Sequence, residues 1–298
     1  MTPSTDVAAL LMRGEELLDL SDTAGARSCF SRALAADAIN VRARHGVGLC
    51  WEAERRDEEA LAAYEAALVD APDDPGVLFS AASTCHRLGL LDDADARYRR
   101  VLARVPDHVM ALTNLGALAL VRGDPDGARS TLERAVACDP TSEAAWRNLA
   151  TVLERAGDPV ALGRCFDDAV ARVPESISLR YRLALHLLGR GDAASARKVF
   201  ESVLALDPSC FEAHYRVGQL DLADGDAQAA APRLAAACRL RPDSPAAAND
   251  LGVAHWLLGD RDGARVCFTH ALSVAADYAP ARNNLDALDE SASEPRAE

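Results

Sequence analysis

Three pairs of side chains carry most of the chemistry that this sequence offers. Asn114 and Asn148 lie 34 residues apart, and so do Tyr181 and Tyr215, and Arg182 and Arg216. Arg147 stands beside Asn148, and Arg87 and Arg155 extend the set. A carboxamide carries both donor and acceptor, so it can hold a peptide backbone without reading its side chains. A guanidinium binds a carboxylate through two parallel hydrogen bonds. A tyrosine adds a flat apolar surface with a polar tip. These groups suit non-covalent recognition of an extended, acidic segment rather than bond-making.

Catalysis would need polar groups that converge in a pocket. The sequence holds no GxSxG, no P-loop, no GxGxxG after a strand and no HExxH. The seven histidines fall at unrelated positions, and neither His45 with His86 nor His214 with His255 makes a convincing metal pair. The eight cysteines (Cys29, Cys50, Cys85, Cys138, Cys165, Cys210, Cys238 and Cys267) include no CxxC, so reduced, mostly buried thiols are expected. No catalytic residue, metal or cofactor is assigned.

Composition narrows the partners. Hydrophobic residues make up 49% and charged residues 26%, which excludes a disordered chain. The net charge of −14 argues against nucleic acid and anionic membranes, because phosphate affinity needs a cationic surface. No apolar run reaches the ~18 residues of a membrane span, and the first residues lack the basic and apolar regions of a leader. A cytoplasmic protein is expected. Alanine is abundant and arginine supplies every Lys/Arg cation but Lys198, a bias that suggests a bacterial source.

The elements that position these residues follow from a repeat. Pro72, Pro106, Pro140, Pro174, Pro208 and Pro242 are spaced by 34 residues without a slip. With that proline at position 32, eight units span 7–40, 41–74, 75–108, 109–142, 143–176, 177–210, 211–244 and 245–278. Position 24 reads Phe30, Tyr64, Tyr98, Leu132, Phe166, Phe200, Leu234 and Phe268. Position 8 holds only glycine or alanine, and position 20 is alanine except at Leu162. In the fourth unit Leu112, Leu115, Gly116, Ala119 and Leu120 make one helical face, and Ala128, Leu132, Ala135 and Val136 make a second. Gly123-Asp124-Pro125 separates them: a left-handed stop, a cap and a first-turn proline. Each unit is therefore a helix A, a tight turn and a helix B, with no strands. A single unit cannot bury its apolar face, so stability comes from stacking. One continuous domain is expected, with a six-residue tail (1–6), a capping helix over 279–290 and a disordered tail over 291–298. Pro232 inside a helix B predicts a tolerated surface kink or a hinge.

Small residues at 8, 20 and 27, a bulky one at 24 and proline at 32, in eight unbroken copies, resemble the tetratricopeptide-repeat (TPR) family. The family aromatic at position 4 survives only as Trp146. The resemblance implies an all-α, right-handed superhelix, or α-solenoid, whose helices A line a concave groove. It places Asn114, Asn148, Arg147, Arg182, Arg216, Tyr181, Tyr215, Arg87 and Arg155 on that surface. Asn114 and Asn148 are similar to two rungs of the asparagine ladder in O-linked N-acetylglucosamine transferases, but no catalytic domain accompanies them. Asn148 and Arg182 match two positions of the carboxylate clamp of chaperone-binding TPR proteins, while Thr113, Ala117 and Ser178 depart from it. The function implied is a non-enzymatic scaffold for a protein or peptide client. A self-assembling structural protein and a dedicated accessory subunit of a neighbouring enzyme are the alternatives.

Overall fold

The computed structural model describes residues 6–293, with side-chain surroundings through Glu290. Of the expected tails, Asp6 is present as the cap of the first helix and 291–293 are helical; the remainder lies outside the described residues. Contacts group the chain into two compact units, Met1–Cys165 and Phe166–Glu298. The first holds α1 (Val7–Asp19), α2 (Thr23–Ala36), α3 (Val41–Ala53), α4 (Asp57–Asp70), α5 (Pro75–Arg87), α6 (Leu91–Arg104), α7 (Val109–Val121), α8 (Pro125–Cys138) and α9 (Glu143–Ala156). Helix α10 (Pro159–Arg172) carries the chain across the division. The second unit holds α11 (Ile177–Gly189), α12 (Ala193–Leu206), α13 (Phe211–Ala223), α14 (Ala227–Leu240), α15 (Pro245–Leu257), α16 (Arg261–Val274) and α17 (Ala279–Ser293). Odd-numbered helices are A and even-numbered ones B. Together the helices form an all-α solenoid of helix-turn-helix repeats.

Local signals set the helix ends. Asp22, Asp124, Asp158, Asp192, Asp226 and Asp260 each accept the backbone N–H three residues on and so cap a helix B. The A-to-B turn needs one left-handed residue in every repeat. Glycine supplies it from Gly89 to Gly259, but Ser21 and Arg55 hold it in the first two repeats, each at φ 62°. A side chain there meets steric cost that glycine avoids. Arg55→Gly is therefore expected to stabilise the protein by about 0.5–1 kcal/mol, read as a higher urea midpoint. A lower midpoint would show that the Arg55 side chain contributes more than its backbone strain removes.

The core sits where position 24 meets position 8. Phe30, Tyr64, Tyr98, Leu132, Phe166, Phe200, Leu234 and Phe268 are all fully buried. A Cβ built on Gly14 would lie 2.7 Å from the Phe30 ring, and one on Gly48 would lie 2.2 Å from Tyr64. The small residue is thus what lets the two helix backbones close on the large one. Pro232 sits exposed on α14, which runs through it unbroken. Helix α17 outruns its expected end at 290 by three residues. It covers the last repeat through Ala281 and Leu288, and Arg261 donates to the Leu288 carbonyl at 2.6 Å.

Two further columns join neighbouring repeats. Position 21 of one faces position 14 of the next: Arg27 pairs with Glu54 (2.6 Å), Asp95 with Arg122 (3.6 Å) and Arg197 with Asp224 (2.6 Å). Leu61 and Leu88, at the same two positions, line one apolar recess. At these four junctions the chemistry changes but the two positions match. The other column is a donor to the carbonyl at position 32. Position 4 supplies it from Arg44, Trp146, Arg180, His214 and Arg282. Where position 4 is Leu78, Leu112 or Ala248, position 26 does so instead, from Arg100, Arg134 and His270. Loss of the family aromatic therefore does not strand these carbonyls.

Candidate functional site

In the first compact unit the polar residues of the A helices form a connected strip. His45 Nε2 lies 2.9 Å from Ser80 Oγ, and burial lowers the affinity of that imidazole for a proton. The Tyr64 hydroxyl donates to Glu52 at 2.7 Å, and burial together with that carboxylate raises its pKa, so it stays a phenol. Ser83 Oγ lies 3.1 Å from the Tyr98 hydroxyl, to which Asn114 Nδ2 also donates at 3.1 Å. Ser83, His86, Arg87, Tyr98 and Asn114 line a pocket of about 430 Å³.

The strip also neutralises one of the arginines expected to bind a carboxylate. Arg87 donates to Glu52 at 3.0 Å, to Asp57 at 2.8 Å and to Thr84 at 3.0 Å. Burial opposes its charge, but the two carboxylates outweigh burial and hold it protonated. Both acids lie in the repeat before that of Arg87. Arg87 is therefore a neutralised cation and not a free anion site. Asn114 and Asn148 are half-buried, and the amide of Asn114 is turned onto Tyr98 rather than onto its neighbour in the column. Arg147 and Arg155 are exposed.

In the second unit a chain of hydrogen bonds crosses three A helices. Arg216 donates to Gln219 Oε1 at 3.1 Å. Gln219 Nε2 donates to the Tyr215 hydroxyl at 2.8 Å and to Asp250 at 3.1 Å. Asn249 Nδ2 donates to Asp250 at 3.2 Å, and Asn284 Nδ2 donates to Asn249 Oδ1 at 2.9 Å. Burial and the Asp250 carboxylate raise the Tyr215 pKa, and Asp250 adds to the effect of burial on Tyr278. Tyr215 also stacks on Phe211, with centroids 5.7 Å apart, and Phe211 carries the Arg241 guanidinium at 3.8 Å. Tyr181 packs against Phe200 at 5.7 Å, and Arg182 lies over the Phe166 ring at 5.5 Å.

Glu52, Ser80, Ser83, Tyr98, Gln219, Asn249, Asp250 and Asn284 also belong to these networks, although none is among the residues predicted from sequence. One signal was present: tyrosine in place of phenylalanine at position 24 of the second and third repeats puts a hydroxyl at the end of a core ring. Among the described residues no group of three His, Cys, Asp or Glu side chains could hold a metal ion. No described helix is long and apolar enough to cross a membrane.

Repeated A/B helix pairs with polar A faces define a helical-repeat scaffold. The family model for the tetratricopeptide repeat matches residues 11–75, 87–143, 181–228 and 215–267, and the chain belongs to that family. No curated protein matches it in sequence. Among solved structures it is similar to the C-terminal part of a TPR repeat-containing protein from Cytophaga hutchinsonii: 13% identity, TM-score 0.67, covering 80% of this chain and 98% of that one. It is similar to pilF of Pseudomonas aeruginosa: 19% identity, TM-score 0.57, covering 70% and 94%. It is also similar to YrrB, described as a TPR protein with an unusual peptide-binding site: 17% identity, TM-score 0.54, covering 62% and 96%. These likenesses concern the fold.

Proposed function

We propose that this TPR protein is a non-catalytic scaffold that binds an extended, acidic segment of a partner protein on its helix A faces. The observation that carries this reading is the state of Arg216. Gln219, itself tied to Tyr215 and Asp250, holds the guanidinium through a neutral oxygen. Among the described residues no carboxylate pairs with it. A fixed cation with no carboxylate in direct contact is ready to meet one, and little reorganisation is needed when the partner arrives. Arg182, Tyr181 and Tyr215 extend the same surface, and Arg147, Arg155, Asn114 and Asn148 offer the corresponding groups in the first unit. Peptide binding by YrrB is consistent with this use of the fold.

The test compares purified wild type with an Arg147→Ala/Arg182→Ala/Arg216→Ala variant on arrays of random and acid-enriched decapeptides. Acidic peptides are expected to bind wild type at least tenfold more tightly than the variant, which corresponds to about 1.4 kcal/mol or more. Circular dichroism checks that the variant is folded. Equal binding by the two proteins, or no binding by wild type, would refute the reading.

A further inference from the structure

We infer that the pocket formed by Ser83, His86, Arg87, Tyr98 and Asn114 is a subsite for an uncharged primary carboxamide, the side chain of a glutamine or asparagine in the partner. This deepens the peptide-binding reading and rests on it for the identity of the occupant. Its evidence is independent of the arginines on which that reading stands.

The pocket has the volume to admit a side chain, about 430 Å³, and every side chain lining it is polar. The polar atoms are preorganised. Tyr98 is wholly buried, so its ring cannot swing, and its hydroxyl is fixed between Ser83 Oγ and Asn114 Nδ2, each at 3.1 Å. Asn114 gives one N–H to that hydroxyl and keeps the second N–H and its Oδ1 for a ligand. Ser83 likewise can donate or accept. The wall thus offers donors and acceptors in mixed order, which a carboxamide matches with both of its ends.

Charge decides against the other polar side chains. Arg87 is the pocket's arginine, and Glu52 and Asp57 already neutralise it. An entering carboxylate would lose its water and find the guanidinium already paired, with two carboxylates behind it. An entering ammonium would face Arg87 itself, with both acids already engaged. An apolar side chain would cover the second N–H and the Oδ1 of Asn114 and leave them without partners.

The experiment uses small probes on the full chain, so that it does not depend on knowing a peptide. Propionamide, propionate and propylammonium are titrated at equal ionic strength, and the Asn114 side-chain amide signals are followed by NMR. Propionamide is expected to shift them saturably, while the two ions leave them unsaturated at the same concentration. Ser83→Ala/Tyr98→Phe should abolish saturation, with the aromatic core kept by phenylalanine and the fold checked by circular dichroism. Saturation by propionate or propylammonium to the same degree, no saturation by propionamide, or saturation that survives in the variant would each overturn the inference. The outcomes separate from those of the arginine test. Carboxamide binding without acidic-peptide binding keeps the subsite and sinks the acidic-segment reading, and the reverse pattern does the opposite.

Discussion

Phe200→Ala is expected to cost about 3–5 kcal/mol of stability, the range for deleting a buried aromatic side chain. Phe200 is fully buried among Ala184, Ala196, Val203, Leu204, Ala213 and Val217. Its ring also supports Tyr181, 5.7 Å away on the candidate binding face. The small residues around it make the loss severe. Alanine cannot move a side chain into the space, and helix backbones already in contact cannot close further, so a cavity remains. Leucine is the informative control, because Leu132 and Leu234 occupy the same position in other repeats and are equally buried. Phe200→Leu should cost about 1–2 kcal/mol, nearer a volume-conserving change. Urea unfolding measures both. Similar losses for alanine and leucine would mean that aromatic contact, and not filled volume, sets the energy of this site. Because repeats are stabilised by their neighbours, the alanine variant should also lose cooperativity, with a broader transition than wild type.

Arg197→Met is expected to cost about 3 kcal/mol, the lower end of the range for stranding a buried charge. Arg197 reaches from α12 to Asp221 and Asp224 at the junction with the next repeat. Burial works against its charge, and the two carboxylates outweigh burial and keep it protonated. The two acids differ. Asp224 is exposed and would be solvated without its partner, whereas Asp221 is only 5% exposed. Methionine preserves the aliphatic reach of Arg197 but leaves the Asp221 carboxylate in a dry place with no counter-charge. A quarter of the Arg197 side chain remains exposed, at 24%, and water reaching in through that opening is why the lower end applies. Asp221→Asn in the Arg197→Met background should then recover a large part of the loss, since an amide is far cheaper to bury than a carboxylate. If Asp221→Asn makes the double variant worse, the loss comes from packing by the arginine stem and not from charge.

The sequence by itself determined the solenoid. Its signals are local and recur at fixed spacing: a small residue at position 8 opposite a large one at 24, a left-handed residue and a capping aspartate between the helices, proline after helix B. Each acts within about one repeat, so the linear order of residue types reveals it. Even the exceptions obey the geometry, since Ser21 and Arg55 adopt the left-handed conformation without being glycine. The 34-residue spacing likewise put Tyr181 and Tyr215 at one position of helix A, and Asn114, Asn148, Arg182 and Arg216 at the next.

Only the tertiary structure decided which of those residues keep their hydrogen-bonding capacity for a partner. Arg87 is neutralised by acids 30 and 35 residues away, Asn114 gives one of its two N–H groups to a tyrosine 16 residues back, and Gln219 reaches Asp250 31 residues on. Asn249 and Asn284, rather than Asn114 and Asn148, make the amide-to-amide bond. A long side chain spans more than one repeat and selects its partner by rotamer and by competition among several donors and acceptors. The spacing of residue types records where a side chain starts, and the packed neighbours determine where it ends.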